Sequence, residues 1–255
     1  MIDTHVHLDD NRFSDANEII KSFKNDGIDF VINASCDFCT QSKAIELSKK
    51  YDSVFALIGT HPHEARFFDA RMEKEMHKLS VDSKVVGVGE IGLDFHYDYS
   101  PRDIQKTVFV RQLELANEFN LPVVLHVREA QADTLEILAS HKSLLKNGLL
   151  FHSYAGSVEM VREFLRFDSF FSFNGAITFK NANKDEIIRS IPIDRILSET
   201  DCPYLTPEPF RGTRNEPKNV RFVVQKIADV REKSFSEMEN IIKENTLRIF
   251  KRILL

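Results

Sequence analysis

Little in these 255 residues marks an internal boundary. There is no Gly/Ser tract, no Pro-rich stretch, no low-complexity segment and no repeat at solenoid period. Their absence argues against two domains on a flexible linker and against a repeat array. No run reaches the roughly 18 apolar residues of a membrane span, so none is expected. The first residues enter an apolar strand without the basic and hydrophobic regions of a signal peptide. Cysteine is scarce: three, an odd number, argues against a disulfide framework and for a reducing cytoplasm. Cys36-x-x-Cys39 has no second pair to complete a zinc knuckle and reads as two bystander thiols. Excess positive charge is missing as well. A net charge of −5 excludes the broad basic field of a protein that coats nucleic acid. It leaves room for an enzyme that grips a few phosphates at one place. What remains is 42% apolar content, enough to bury one core across 1–255 as a single domain.

Short apolar runs alternate with longer amphipathic ones almost throughout. Strands are expected over 2–8, 30–34, 54–59, 85–91, 122–127, 149–152, 170–174 and 195–200. Helices are expected over 15–25, 40–50, 72–79, 102–119, 133–141, 158–167 and 185–190, with two more at 220–230 and 237–250. The helix over 102–119 carries the clearest apolar stripe: Val108, Leu113, Leu115, Ala116 and Phe119. Alternating strands and helices imply a parallel sheet. About eight such units in about 250 residues match a (β/α)8 TIM-type barrel, whose active sites lie at the C-terminal ends of the strands. A doubly wound open sheet is the alternative. It usually carries a Gly-rich phosphate loop after its first strand, and here histidines hold that place.

Nine histidines are present, and six of them fall at predicted strand ends. The first strand ends in His5-x-His7, two side chains on one face, which is half of a divalent-metal site. Strand three gives His61 and His63, strand four Glu90, strand five His126 and strand six His152. Strand eight gives Glu199 and Asp201. Val124, His126 and Arg128 share a face, so an apolar residue is followed by a ligand type and then a cation toward the mouth. A barrel with only packing to do places Val, Ile or Leu at inward positions, and an unpartnered buried carboxylate is costly. The set His5, His7, Glu90, His126, His152 and Asp201 suits two divalent ions such as Zn or Mn, with Mg less favoured by so many nitrogens. Glu90, midway round the barrel, is the candidate bridge. Two divalent cations against two carboxylates leave a site of about +2, which favours a phosphate ester over a neutral amide.

These segments, in this order, resemble the TatD family of metal-dependent deoxyribonucleases over essentially the whole chain. The carriers are Ile2-Asp3-Thr4-His5-Val6-His7-Leu8, Gly59-Thr60-His61-Pro62-His63, Gly89-Glu90-Ile91-Gly92-Leu93-Asp94 and Leu125-His126-Val127-Arg128. The most specific are Glu199-Thr200-Asp201-Cys202-Pro203-Tyr204-Leu205 and Pro209-Phe210-Arg211-Gly212-Thr213-Arg214-Asn215-Glu216-Pro217. The resemblance implies an amidohydrolase-like barrel in which His5, His7 and Asp201 hold a first metal. Glu90 then bridges to a second held by His126 and His152. It also implies that Glu199 and His61 or His63 serve a third ion or the scissile phosphate. The implied activity is hydrolysis of DNA phosphodiesters, often from the 3′ end.

Within that reading Asp201 is the expected general base. Arg128 and Arg211 are the expected holders of non-bridging oxygens, since a guanidinium fork matches phosphate. Arg214 is more readily an ordinary surface arginine. Tyr204 is a candidate to stack a terminal base, and Asp94 is expected only to fix a loop. The expected partner is DNA, at ends or short single strands, with no membrane and no obligatory protein. A metal-dependent carboxyl-ester hydrolase, such as a D-aminoacyl-tRNA deacylase on the same scaffold, is the alternative. A histidinol-phosphate-type phosphatase, which also opens on a His-x-His strand, and a non-catalytic metal-binding module rank below it.

Overall fold

All strands of this chain but β4 (Val85–Asp94) are short, and nearly all of their side chains are buried, as expected where helices cover one face and a barrel interior takes the other. The structure, a computed structural model, describes residues 1–254. The strands are β1 Ile2–Val6, β2 Phe30–Asn33, β3 Val54–Ile58, β4 Val85–Asp94, β5 Val123–Arg128, β6 Leu149–Phe151, β7 Ser169–Phe173 and β8 Ile196–Ser198. They pair in parallel and in sequence order. The helices are α1 Ala16–Asp26, α2 Phe38–Lys50, α3 Ala70–Ser80, α4 Arg102–Phe119, α5 Gln131–Ser140, α6 Val158–Phe164, α7 Asp185–Ser190, α8 Val220–Val230 and α9 Phe235–Ile249. This is the (β/α)8 barrel the alternation implied. No helix among the described residues is long and apolar enough to cross a membrane.

The β1–β8 seam is closed by side chains more than by a ladder. One parallel bridge joins Val6 to Cys202. Below it, Thr4 donates its hydroxyl to the Ser198 carbonyl at 3.0 Å, and the buried Asp3 carboxylate accepts the Thr200 N–H at 2.9 Å and its hydroxyl at 2.6 Å. Burial pushes the Asp3 carboxyl well up, against those hydrogen bonds.

The lower half of the barrel is filled by Phe30, Ile32, Phe55, Leu57, Val86, Val124, Leu150, Phe170 and Leu197, with Phe250 packed against them from the C-terminal segment. Two glycines of β4 make room there. A Cβ on Gly87 would meet Leu57 Cδ2 at 2.9 Å, and one on Gly89 would meet Val124 Cβ at 2.7 Å.

Two boundaries differ from expectation in ways that matter above this layer. β1 ends at Val6, and its register shifts between Asp3 and Val6. β4 runs three residues beyond Ile91, so Gly92, Leu93 and Asp94 pair with His126, Val127 and Arg128. The glycines hid this extension, because Gly weakens a strand pattern. Gly92 sits at φ +135 with a would-be Cβ only 2.2 Å from the His126 carbonyl oxygen, so a side chain is excluded there.

Candidate metal centre

Each strand that matters ends its apolar run and then presents a polar group to the mouth. On β5 and β6 this follows simple alternation: Val124 then His126, Leu150 then His152. On β1 and β4 it does not. Ile2 and His5, an odd number of residues apart, both serve the interior because of the shift after Asp3. Gly89 and Glu90 both point inward because the β4 register shifts between Val88 and Ile91. Irregular strands are a recurrent way to re-aim a side chain beside an active site.

Glu90 stands at the centre, almost fully buried. Its Oε1 lies 3.6 Å from Nε2 of His5 and 3.8 Å from Nε2 of His7. Its Oε2 lies 2.7 Å from Nε2 of His152 and 3.3 Å from Nδ1 of His126. The two oxygens of one carboxylate thus face two different pairs of histidines, the arrangement expected of a bridge. On the first side Asp201 Oδ1 comes 3.3 Å from His7 Nε2, and donor atoms of His5, His152 and Asp201 cluster together. On the second side His152 Nε2 and His126 Nδ1 are 3.3 Å apart. Ligand atoms about 2.0–2.1 Å from a tetrahedral zinc are separated by about that distance.

A direct test of fit comes from unpaired atoms. His5 is fully buried and neither ring nitrogen has a hydrogen-bond partner. A buried polar group without a partner is costly, and a divalent cation would satisfy His5 Nε2 where its neighbours aim. The donor set of imidazoles and carboxylates fits such ions.

The ionisation pattern agrees. Burial opposes a charge on Glu90, yet His152, His5 and His61 outweigh it and hold its carboxyl well below the usual range. Burial also opposes protonation of His7 and His152, but Asp201 acts on the first and Glu90 with Glu199 on the second, and both are raised well. Protons and metal ions therefore compete for the same lone pairs here.

Two carboxylates stand behind the histidines. Glu199 is buried, accepts the Ser153 N–H at 2.7 Å and the Ser172 hydroxyl, and places Oε1 3.4 Å from His152 Nδ1. Asp94, expected only to fix a loop, does more. Its Oδ1 accepts the N–H groups of His96 and Tyr97, at 3.0 and 2.9 Å. Its Oδ2 lies 2.9 Å from Nε2 of both His63 and His126. Burial opposes its ionisation, but the two imidazoles win and hold the carboxyl far below the usual range. With Nε2 of His126 committed to Asp94, only Nδ1 remains for an ion. The even spacing Glu90, Gly92, Asp94 on one strand face was the available sequence signal for this partner.

His61 occupies a different position. Its Nδ1 accepts the His63 N–H at 3.1 Å, and burial together with nearby His126 keeps the ring well below the usual histidine range. A neutral ring whose Nδ1 accepts carries its proton on Nε2, which lies 4.0 Å from Glu90 Oε2. His61, Glu90 and His126 form a third cluster of ligand types, but an ion there would have to break that bond. As it stands His61 is a donor facing the mouth.

Of the arginines, Arg128 lies 4.8 Å over the ring of Tyr97, which stacks on Tyr99 at 5.2 Å, and both rings meet His63 edge-on. Tyr97 and Tyr99 are about half exposed, at 46% and 55%. Tyr204, 47% exposed, has Arg12 4.2 Å over its ring and stands edge-on to His7 at 6.1 Å. Tyr97, Tyr99 and Arg12 carried no motif and were missed. Arg211 packs over Phe179 at 4.3 Å and makes no hydrogen bond or ion pair among the described residues. Arg214 pairs with Asp15 and Glu216 and is structural.

A family model described as TatD related DNase matches residues 2–251. The chain is 41% identical over 253 residues to YabD of Bacillus subtilis, described as an uncharacterized metal-dependent hydrolase, covering 98% of this chain and 99% of that one. It is 32% identical over 256 residues to the metal-dependent hydrolase MJ1582 of Methanocaldococcus jannaschii, covering 99% and 98%. The crystal structure of YJJV, a TatD homologue from Escherichia coli, matches with a TM-score of 0.91 at 27% identity over 98% of each chain.

Proposed function

The chain belongs to the TatD family of metal-dependent hydrolases, and on that premise we propose that it cleaves phosphodiester bonds of DNA in the cytoplasm, working from the 3′ end of a single or frayed strand. The observation that carries this reading is the rim of the site. Half-exposed tyrosines, each set or pair capped by a guanidinium, stand on two sides of the metal centre: Tyr97 and Tyr99 with Arg128, and Tyr204 with Arg12. Aromatic faces accept any base by stacking, and arginines accept phosphate oxygens. Exposed aromatics beside a metal-ligand cluster suit a few unstacked nucleotides, whereas the acidic net charge does not suit a long duplex footprint.

Net charge at the site no longer selects the substrate. Counting Asp94 and Glu199 with Glu90 and Asp201, four carboxylates bring the sum with two divalent ions to about zero rather than +2. Bound divalent cations supply Lewis acidity and neutralise developing negative charge on the phosphate. The chain's own residues do the rest. Asp201, the more open of the ligand carboxylates, is placed to take a proton from the attacking water. His61 Nε2–H and Arg128 are placed to donate to phosphate oxygens. Asp94 holds the ring of His126 at the angle ligation needs, and Glu199 places its charge 3.4 Å from His152 Nδ1.

The near-zero charge sum keeps a second reading in play, hydrolysis of a carboxyl ester such as aminoacyl-tRNA, because a neutral acyl centre is no longer disfavoured. The test is a time course on 3′- and 5′-labelled single strands beside charged tRNA, with Mn or Zn supplied. Stepwise loss of the 3′ label is expected. Intact oligonucleotides with deacylated tRNA would move the reading to the ester hydrolase.

A further inference from the structure

The loops that follow β3 and β4 form one rim of the mouth, and two residues of that rim, Arg66 and Phe67, take no part in the metal centre. They close the short helical turn Pro62–Phe67, which starts directly after His61. The turn is tied to the β4 loop through one buried hydroxyl. Ser100 Oγ donates to the His63 carbonyl at 2.7 Å and accepts the Arg66 N–H at 3.1 Å. Gln105, itself buried, donates to the Ser100 carbonyl at 2.8 Å and fixes this staple from α4. A rim held in this way loses little freedom when a ligand settles on it.

The contacts along the rim run outward in order. His63 shares the Asp94 carboxylate with His126. Its ring meets Tyr97 and Tyr99 edge-on, at 5.4 and 4.8 Å. The Tyr99 carbonyl accepts an N–H of Arg66 at 2.9 Å, and the Arg66 guanidinium lies 4.8 Å over the ring of Phe67. Phe67 is 62% exposed, more than either tyrosine. Exposed apolar side chains scattered singly are ordinary, but a row of three rings that begins at a metal-ligand cluster is a surface.

Charge singles out the same rim. Close by, Arg102 pairs with Asp98 and Lys106 with Asp133. Arg66 and Arg128 have no carboxylate partner among the described residues, although the chain carries a net charge of −5. Arg66 gives one of its five N–H groups to Tyr99 and keeps the others for a ligand. Across the mouth Arg12 already spends its fork on Asp10, at 2.8 and 2.7 Å. Free cationic charge therefore lies on the Tyr97–Phe67 side.

We propose that Arg66 and Phe67 form an outer subsite for single-stranded nucleic acid. Phe67 stacks a base and Arg66 holds a phosphate beside it, so that a bound strand leaves the metal centre over Tyr99 and Phe67. The proposal rests on the reading of the site as one that takes nucleic-acid ends, and adds to it the path of the strand. Neither side chain is of a metal-ligand type, so both act on grip rather than on the chemical step. The signature is a dependence on length: a strand long enough to reach Phe67 gains affinity that a dinucleotide does not. Any base serves, because every base has a face to stack.

The experiment measures binding to the Mn-loaded full chain by fluorescence anisotropy. The probes are 5′-labelled oligodeoxythymidylates with phosphorothioate linkages, which keep the backbone charge and resist cleavage. The wild type is expected to bind an octanucleotide more tightly than a dinucleotide. Phe67→Ala should weaken the octanucleotide by about tenfold, within the range for one lost base stack, and leave the dinucleotide unchanged. Phe67→Trp should restore the affinity. Arg66→Gln should lower the slope of log affinity against log salt by about 0.7, the share of one phosphate contact on a single strand, whereas Phe67→Ala should leave that slope alone. Equal weakening of both lengths would mean that the turn has only displaced His63, and an octanucleotide indifferent to both variants would mean that the strand leaves elsewhere; either overturns the proposal. Cleavage of unmodified strands is read separately. Cleavage without a length effect at Phe67 removes the subsite and leaves the nuclease reading standing, and a length effect at Phe67 without cleavage does the reverse.

Discussion

The same eight strands build two layers of opposite character. In the lower layer Ile32, Leu57, Val124, Leu150 and Leu197 pack on one another and on Phe250, and every contact they make is satisfied within the chain. Two to four residues further along, His5, Glu90, His126, His152 and Asp201 are also largely buried, yet the chain does not complete them: His5 has no partner for either nitrogen. The lower layer is finished by folding. The upper layer is finished only by something the chain binds. The difference teaches where stability and function separate, since a barrel can keep costly polar groups at its mouth when an apolar layer beneath holds the strands in place.

If the layers are independent, damage to each should register in a different measurement. The largest effect is expected from Asp201→Asn. Asp201 has φ +56, a conformation Asn adopts readily, so the backbone is preserved. Loss of the carboxylate should lower kcat/KM on the natural substrate class by about 10³-fold, in the range for a lost general base, with the urea midpoint nearly unchanged. Turnover within tenfold of wild type would mean that Asp201 neither takes a proton nor holds an ion. Leu57→Ala is the converse. Leu57 is fully buried in the lower layer against β4, and its truncation should cost about 3 kcal/mol in urea unfolding. The folded fraction should turn over at nearly the wild-type rate. A fall in kcat comparable to that of Asp201→Asn would show that the layers are coupled and break the comparison.

How much of this could be read in the sequence follows the same division. The barrel and its order of elements were legible because apolar alternation and helical periodicity repeat eight times. The six ligand-type residues were legible because His and carboxylate stand where packing alone calls for Val or Leu. Three things were not. The parity breaks in β1 and β4 depend on register with neighbouring strands, which a single strand's pattern does not encode. The strand character of Gly92-Leu93-Asp94 was masked by a glycine that is there because a side chain would strike the His126 carbonyl. The places of Tyr97 and Tyr99 against His63 come from a loop, whose side chains have no periodicity to betray their direction. Arg211 was singled out by its motif, and the structure leaves its guanidinium exposed over the ring of Phe179.

The sharpest question about the boundary between the layers concerns Asp94, which belongs to neither. It touches no ion position itself and acts through His126 and His63. In Asp94→Asn the amide oxygen can still accept from the His96 and Tyr97 N–H groups, so the turn after β4 is retained. The amide NH2 then replaces the oxygen that faced the two Nε2 atoms and can no longer accept from them. His126 loses the partner that fixed its tautomer and angle, and Nδ1 is presented to the ion less often. Such outer partners are worth about 10–100-fold in metal affinity or activity, less than a lost ligand. The measurement is competition with a chromophoric chelator, resolving the tighter from the weaker ion. Only the ion at His126 and His152 should weaken, because His5, His7 and Asp201 do not depend on Asp94. Equal weakening of both ions would mean that Glu90 transmits the change across the bridge, and no weakening would mean that His126 does not ligate through Nδ1.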